Sequence, residues 1–363
     1  MINICIVAGA RPNFIKVAPI IHAIMECKEE GKEVGYTLVY TGREDDATLE
    51  ASLFEDLQIK RPQVFLGIDS TSLNEITGKV MWAFEQYLDS NTTDIVIVVD
   101  DLASTMATAI VAKKHGVVLA HLVAGTRSFD INMPKEINRL VIDGLSDILF
   151  TAGTTSSSTA MRGGAEMSKI YMVGNILLDT LRRNAQRLRR PECLKDIADR
   201  EYIVITLNRR KLLAEKEAML QKIRTIMEKA GDLTVIAPLR PSARNVIKEI
   251  AEDFPSLHFV EPLCYLEFAY LTAHARGVIT DSGNIAEEAT FNNVPCITLN
   301  TYTEHIETVT QGTNVLVGED LKLLADSVSD MVAGKWKDGS LPDRWDGRSA
   351  RRILQIILEA CSK

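Results

Sequence analysis

The sequence predicts an α/β protein of two doubly wound lobes, each a mostly parallel sheet covered by helices on both faces. Short Val/Ile/Leu-rich runs alternate with longer stretches of helical period almost throughout, the pattern of strands buried on both sides. At 363 residues the chain exceeds what one hydrophobic core usually supports. Arg182 to Arg200, a charged amphipathic stretch broken by Pro191, separates two sets of strand patterns as a linker would.

In the first set, strands are expected at Ile2–Val7, Tyr36–Tyr40, Val64–Leu66, Ile95–Val99, Val118–Leu122, Ile148–Phe150 and Ile170–Val173, with helices such as Leu73–Leu88 and Ser104–His115 between them. In the second they are expected at Tyr202–Thr206, Leu233–Ala237, Leu257–Val260, Gly277–Thr280, Pro295–Leu299 and Val315–Val317. Gly347 to Ala360 places Ile353, Leu354, Ile356, Ile357 and Ala360 on one helical face and should pack against another element. The expected lobes are residues 1–185, with the helix at 347–360 crossing back onto them, and residues 200–346. Trp336 and Trp345 read as packing residues rather than ligand contacts.

With 41 Lys+Arg against 49 Asp+Glu the net charge is −8, which argues against a general nucleic-acid binder. No run approaches the apolar length of a membrane span or a signal peptide, so no membrane partner is expected and the cytoplasm is the expected compartment. Cys5, Cys27, Cys193, Cys264, Cys296 and Cys361 are scattered without Cys-x-x-Cys pairs or a His cluster. That disfavours a metal site and a disulfide framework, and most of them read as small buried hydrophobes.

In open parallel sheets ligands sit at loops leaving the carboxyl ends of strands. The stretch Val118 to Arg139 runs from an apolar strand through a Gly-containing polar loop into a helix opened by Pro134, so His121, Arg127, Glu136 and Arg139 would converge on one crevice. His121, on a strand end, reads as a satisfied core histidine. Glu136 and Arg139 share a helix face, as a structural pair or as crevice lining. Asp100-Asp101 ends the buried strand Ile95–Val99, where paired carboxylates are costly unless partnered or functional, although Asp101 could instead cap the next helix. Gly9-Ala10-Arg11-Pro12-Asn13, with Lys16 one turn on, suits a phosphate, or is an ordinary helix start. In Thr280-Asp281-Ser282-Gly283-Asn284, the amides of residues 282–284 can face a diphosphate, and Glu287 or Glu288 can accept from ribose hydroxyls. The alternative is a helix capped by Asp281 or Ser282.

Taken together these motifs resemble the non-hydrolysing UDP-N-acetylglucosamine 2-epimerases over nearly the whole chain. Gly9-Ala10-Arg11-Pro12 with Ile15-Lys16-Val17-Ala18-Pro19 is similar to that family's opening Gly-Thr-Arg-Pro and Ile-Lys-x-Ala-Pro. Ala124-Gly125-Thr126-Arg127-Ser128, Pro134 to Arg139, Gly174-Asn175, Pro262-Leu263-x-Tyr265-x-x-Phe268, Thr280-Asp281-Ser282-Gly283 and Glu287-Glu288-Ala289 follow in order and spacing. The resemblance implies two Rossmann-like lobes of the glycosyltransferase-B type with an interlobe cleft, the first lobe catalytic and the second UDP-binding. It further implies a UDP-sugar as ligand, no cofactor and no metal, and a homodimer. By the resemblance Asp101, Glu136 and Arg139 are catalytic. Arg11, Lys16, Arg127, Asn175, Arg209, Phe268 (stacked on uracil), Ser282, Gly283 and Glu288 (on the ribose) bind substrate.

The chain departs from the family's pattern at polar positions. The family's His-x-Glu-Ala-Gly, whose Glu is catalytic, reads His121-Leu122-Val123-Ala124-Gly125. Its His-Arg-Arg reads Asn208-Arg209-Arg210, its Pro-x-His-Pro reads Pro238-Leu239-Arg240-Pro241, and its Gly-Gln-His reads Gly42-Arg43-Glu44. Its Ser-Gly-Gly reads Ser282-Gly283-Asn284, and its Thr-Glu-Arg-Pro-Glu reads Thr303-Glu304-His305-Ile306-Glu307. Two readings follow. One is an epimerase in which Asp101 and Glu136 carry the proton transfers and Arg43, Glu44 or Arg240 compensate. The other is a silent or altered paralogue that binds a UDP-sugar or another nucleotide as a sensor or partner.

Overall fold

The computed structural model describes residues 1–361, apart from the side chains of Arg210 and Lys211, so Arg210 of the Asn208-Arg209-Arg210 run is followed only in its backbone. The chain forms two compact units, Met1–Arg183 with the run from Asp343 onward, and Asn184–Pro342.

Unit 1 holds seven parallel strands: β1 (Ile2–Ala8), β2 (Val34–Tyr40), β3 (Val64–Phe65), β4 (Ile95–Val99), β5 (Val118–Ala124), β6 (Ile148–Thr151) and β7 (Ile170–Met172). Their order is β3-β2-β1-β4-β5-β6-β7. The central β4, Ile-Val-Ile-Val-Val, is buried along its whole length, which is why it carries no polar alternation. Unit 2 holds β8 (Tyr202–Thr206), β9 (Thr234–Pro238), β10 (Leu257–Val260), β11 (Gly277–Thr280), β12 (Cys296–Thr298) and β13 (Asn314–Leu316), ordered β10-β9-β8-β11-β12-β13. Counted from its own first strand that order is 3-2-1-4-5-6, the doubly wound arrangement. The expected strands are all present, with edges moved by a residue or two.

In each sheet the winding direction reverses at one place, between β1 and β4 in unit 1 and between β8 and β11 in unit 2. Flanking connections leave such a pair of strands in opposite directions and open a crevice at their carboxyl ends. The residues there are the Gly9–Asn13 turn with Asp100-Asp101, and Asn208-Arg209 with Asp281–Gly283.

The helix Ser349–Cys361 packs against the helix Arg11–Glu29 of unit 1 through Ile353, Leu354 and Ile357. Ala360, expected on that face, is exposed in the helix's last turn. Asp179 fixes the helix start: its carboxylate accepts the amides of Ser349 (3.0 Å) and Ala350 (2.7 Å), two of the donors that a helix N-terminus leaves unpaired.

Trp345 is buried and donates to the Ala152 carbonyl, and Trp336 donates to the Thr313 carbonyl, so both indoles are spent on packing. Only Cys5 and Cys296 are buried, and burial pushes both thiols up to about 12. Cys27, Cys193, Cys264 and Cys361 are half-buried, because they lie near element ends or in the linker where packing is open. The expectation that most cysteines are core residues therefore fails. Among the described residues no helix is long and apolar enough to cross a membrane, and no cluster of His, Cys, Asp and Glu suits a metal ion.

Candidate functional site

In unit 1 the turn after β1 is clamped to the end of β4. A Cβ on Gly9 would lie 2.3 Å from Ser104 Oγ, so the close approach of the two connections requires glycine. Asn13 Oδ1 accepts the amides of Gly9 (2.9 Å) and Ala10 (3.0 Å), while its Nδ2 donates to Asp100 at 2.7 Å. Lys16 Nζ pairs with the same carboxylate at 2.5 Å and is buried. Lys16 is thus committed to Asp100, leaving Arg11, half-buried beside the turn, as its more available cation.

Asp101 caps nothing. The helix Ala103–Lys114 has Leu102 at its N-cap and no side-chain cap bond. Its carboxylate instead accepts from Arg139 Nε at 2.8 Å and Nη2 at 2.7 Å, with Lys135 Nζ 2.9 Å away. Burial pushes the Asp101 carboxyl up, but Lys135 and Arg139 outweigh it and hold the group below the usual carboxylate range.

Glu136 bonds Arg139 at 3.2 Å and accepts the Ser128 amide (2.8 Å) and hydroxyl (2.9 Å). Arg127 reaches from Glu136 (3.9 Å) to Asp143 (2.6 Å). His121 faces Asp143 through Nδ1 at 2.6 Å and the Asp100 carbonyl through Nε2 at 2.9 Å, as a satisfied core histidine should. Burial raises the Asp143 carboxyl, and His121 and Arg127 more than reverse that. The result is one contiguous polar network, His121–Asp143–Arg127–Glu136–Arg139–Asp101–Lys135, in which carboxylates alternate with cations from Asp143 to Lys135.

Val123 follows His121 by two residues on β5 and is half-buried. The β5–β6 register shifts between Leu122 and Ala124, and Val123 takes a φ of 69°. A β-branched residue in the left-handed region is strained by roughly 1–3 kcal/mol. Two residues on, Gly125 has φ 74°, and a Cβ there would strike the Ser156 carbonyl oxygen at 2.1 Å.

Among the described residues Asn175 makes no hydrogen bond to the network. It follows Gly174, its Oδ1 accepts the Leu177 amide at 3.0 Å, and its buried Nδ2 has no partner among the described residues.

In unit 2 Asp281 is the anchor. Fully buried, it accepts the amides of Asn208 and Arg209 on one oxygen, both at 2.6 Å, and so ties the β8 exit to the β11 exit. Its other oxygen has no partner among the described residues, and burial raises its pKa. The Arg209 guanidinium lies over the Tyr302 ring, 5.4 Å from its centroid, donates to the Tyr302 hydroxyl at 3.0 Å and approaches Glu304 at 3.8 Å. The Asn208 residue is exposed.

The helix Gly283–Phe291 starts at Ser282 without a side-chain cap bond, so neither Asp281 nor Ser282 caps it. The Ser282 amide donates to Thr280 Oγ1 at 3.0 Å, which leaves the amides of Gly283 and Asn284 as the outward donors of the turn. The two glutamates are not equivalent. Glu287 pairs with His305 at 2.7 Å. Glu288 is buried, its Oε2 has no partner among the described residues, and burial together with the charge of Glu287 pushes it up to about 8. Phe268, half-buried on the helix Tyr265–Ala273, packs in the same apolar cluster as Ile285, Ala286 and Ala289.

Asp143 and Tyr302 are residues that sequence reasoning did not single out, and it did not foresee that Asp281 would hold the Asn208 and Arg209 amides or that Glu287 would pair with His305. Asp143 had one available signal, since it lies four residues after Arg139 on the polar face of the same helix.

A family profile described as UDP-N-acetylglucosamine 2-epimerase matches residues 25–358. A relative named UDP-N-acetylglucosamine 2-epimerase, from Methanocaldococcus jannaschii, is 32% identical over 98% of this chain and 98% of its own. A Pseudomonas aeruginosa protein named UDP-2,3-diacetamido-2,3-dideoxy-D-glucuronate 2-epimerase is 33% identical over 98% of this chain and 99% of its own. The crystal structure of the M. jannaschii enzyme in complex with UDP-GlcNAc and UDP superposes with a TM-score of 0.86 at 32% identity, covering 99% of this chain and 100% of that one.

Proposed function

The chain belongs to the UDP-N-acetylglucosamine 2-epimerase family, and from that premise we propose that it interconverts a UDP-2-acetamido sugar and its C2 epimer by elimination and re-addition of UDP. The observation that carries this reading is the Asp101–Arg139–Glu136 cluster at the unit 1 switch point, an ionised carboxylate and a second buried one bridged by a single guanidinium.

The chemistry asks for such groups. The C2–H bond breaks, its proton passes to a carboxylate, and its electron pair forms a C1–C2 double bond while the C1–O pair leaves on the diphosphate. Return of a proton to the opposite face of C2 and of UDP to C1 gives the epimer. A hydrogen so weakly acidic needs a positioned base and acid, and the departing diphosphate needs cations. In this reading Asp101 and Glu136 carry the protons and Arg139 sets their geometry. Arg127 holds Glu136 in place through the network, Lys16 holds Asp100, and Asn175 and the Arg11 turn contribute ligand contacts. Unit 2 supplies the nucleotide contacts, with Phe268 for the base, the Ser282-Gly283 turn and Arg209 for the diphosphate, and Glu288 for the ribose, whose hydroxyl would satisfy the unpartnered Oε2.

A second reading, a paralogue that binds the nucleotide sugar without turning it over, is favoured by Val123. An aliphatic side chain transfers no proton, and loss of one general acid/base group costs about two to four orders of magnitude. Incubation with UDP-N-acetylglucosamine in deuterated water, followed at C2 by NMR, separates the two. Deuterium incorporation supports the epimerase, whereas none at high enzyme concentration, with binding retained, supports the silent form.

A further inference from the structure

Unit 2 contains a titratable residue that the functional reading leaves without a role. His305 Nδ1 is paired with Glu287 Oε1 at 2.7 Å, and their side chains are only 15% and 4% exposed. The other edge of the ring lies over the start of the helix Gly283–Phe291. A Cβ on Gly283 would meet His305 Cδ2 at 2.8 Å and Nε2 at 3.2 Å. The backbone of His305 is fixed as well, its amide donating to Thr303 Oγ1 and its carbonyl accepting from the Thr308 amide and hydroxyl. One face of the imidazole is therefore held by a carboxylate while the opposite edge borders the turn whose first-turn amides favour an anion.

We propose that His305 is a diphosphate-facing residue of the nucleotide-sugar site and that its protonation, supported by Glu287, makes ligand binding pH-dependent. This rests on the UDP-sugar reading given above. A second observation marks the same helix as a ligand site: the buried Glu288 Oε2, one turn along, has no partner among the described residues. The charged groups placed around His305 are Glu287, which it contacts, Glu288, whose charge couples to Glu287 on the same helix, Glu304 and Glu307 one and two residues away in the chain, and Arg209, which approaches Glu304 at 3.8 Å. That set is acidic on balance, so an imidazolium is the group that makes the turn hospitable to a diphosphate when Arg209 is engaged with Tyr302 and Glu304. Imidazole changes charge in the physiological range, and a charge-assisted hydrogen bond to phosphate changes affinity by about tenfold to a hundredfold.

The test is calorimetric titration with UDP-N-acetylglucosamine, whose esterified diphosphate keeps its charge between about pH 6 and pH 8.5, where imidazole titrates. Wild-type affinity should weaken by about tenfold across that range. His305→Gln should bind weakly with no such slope, and His305→Arg tightly with no slope. Glu288→Gln should retain the slope, because it removes the neighbouring titration and leaves the imidazole. A slope that survives in His305→Gln, or in His305→Arg should the Gln variant fail to fold, overturns the proposal, as does a flat wild-type profile. Absence of wild-type binding at every pH overturns the UDP-sugar reading itself and this inference with it. A wild-type protein that binds with an unaltered profile in the variants overturns the inference alone.

Discussion

Arg139 grips Asp101 with two nitrogens of one guanidinium, Nε at 2.8 Å and Nη2 at 2.7 Å, while its third reaches Glu136 at 3.2 Å. All three side chains are at least nine-tenths buried. Removing the central cation breaks a buried ion pair and leaves Asp101 only Lys135 and Glu136 only the more distant Arg127 as cation, a mechanism that costs about 3–5 kcal/mol. Arg139→Ala should therefore lower the urea midpoint sharply, whereas Asp101→Asn, which keeps shape and some hydrogen bonding, should remain folded. If the chain is an epimerase, Asp101→Asn should still lose about two to four orders of magnitude in C2 exchange.

Val123 gives a second expectation. Val123→Glu should raise deuterium exchange at C2 if the chain lacks one proton-transfer group and nothing else. An unchanged rate with unchanged ligand affinity would place the deficit elsewhere, with Asn208 and Arg240 next to be replaced. Since the backbone there is left-handed at φ 69°, Val123→Gly should cost little stability or even raise the melting temperature, although it deletes a half-buried side chain.

Glu288 predicts a pH effect on folding. Its folded-state pKa is raised to about 8 from the ordinary glutamate value of 4.5, so in that interval the native state holds a proton the unfolded chain has released. Stability from this group is fully present below the unfolded value and is lost as pH rises through about 8. Glu288→Gln cannot ionise. Its melting temperature relative to wild type should rise between pH 5 and pH 8.5, and the difference should be smallest at the acid end. A parallel pair of curves would show that the carboxyl is already ionised in the folded protein.

The Asp179 contact with the Ser349 and Ala350 amides makes a plain stability prediction. Asp179→Ala removes an N-terminal capping acceptor and should cost about 1 kcal/mol, detectable as earlier amide exchange in the helix Ser349–Cys361 than in the sheet. Equal protection in both would mean that packing through Ile353, Leu354 and Ile357 suffices.

The sheets were legible because strands buried on both faces must be apolar along their length, and runs such as Ile95–Val99 admit no other economical reading. Strand order was not legible, since it depends on pairings between residues as distant as Ile4 and Ile95. The same limit governed the site. Asp101, Glu136, Arg139 and Glu288 stood out through motif and spacing, but their division of labour did not. That Lys16 belongs to Asp100, that Glu287 rather than Glu288 is paired, and that Asp281 holds two distant amides instead of capping its own helix all depend on contacts across the fold. The left-handed turn at Val123 was hidden for the opposite reason, because local preference argues against it.

The helix Ser349–Cys361 is part of unit 1 yet follows all of unit 2 in the sequence. During synthesis, then, the first unit leaves the ribosome without the element that covers the helix Arg11–Glu29. At about 5–20 residues per second it waits on the order of ten seconds for that element while unit 2 is made. The apolar surface of that helix stays uncovered for the interval, and the second unit is synthesised whole before the first is complete.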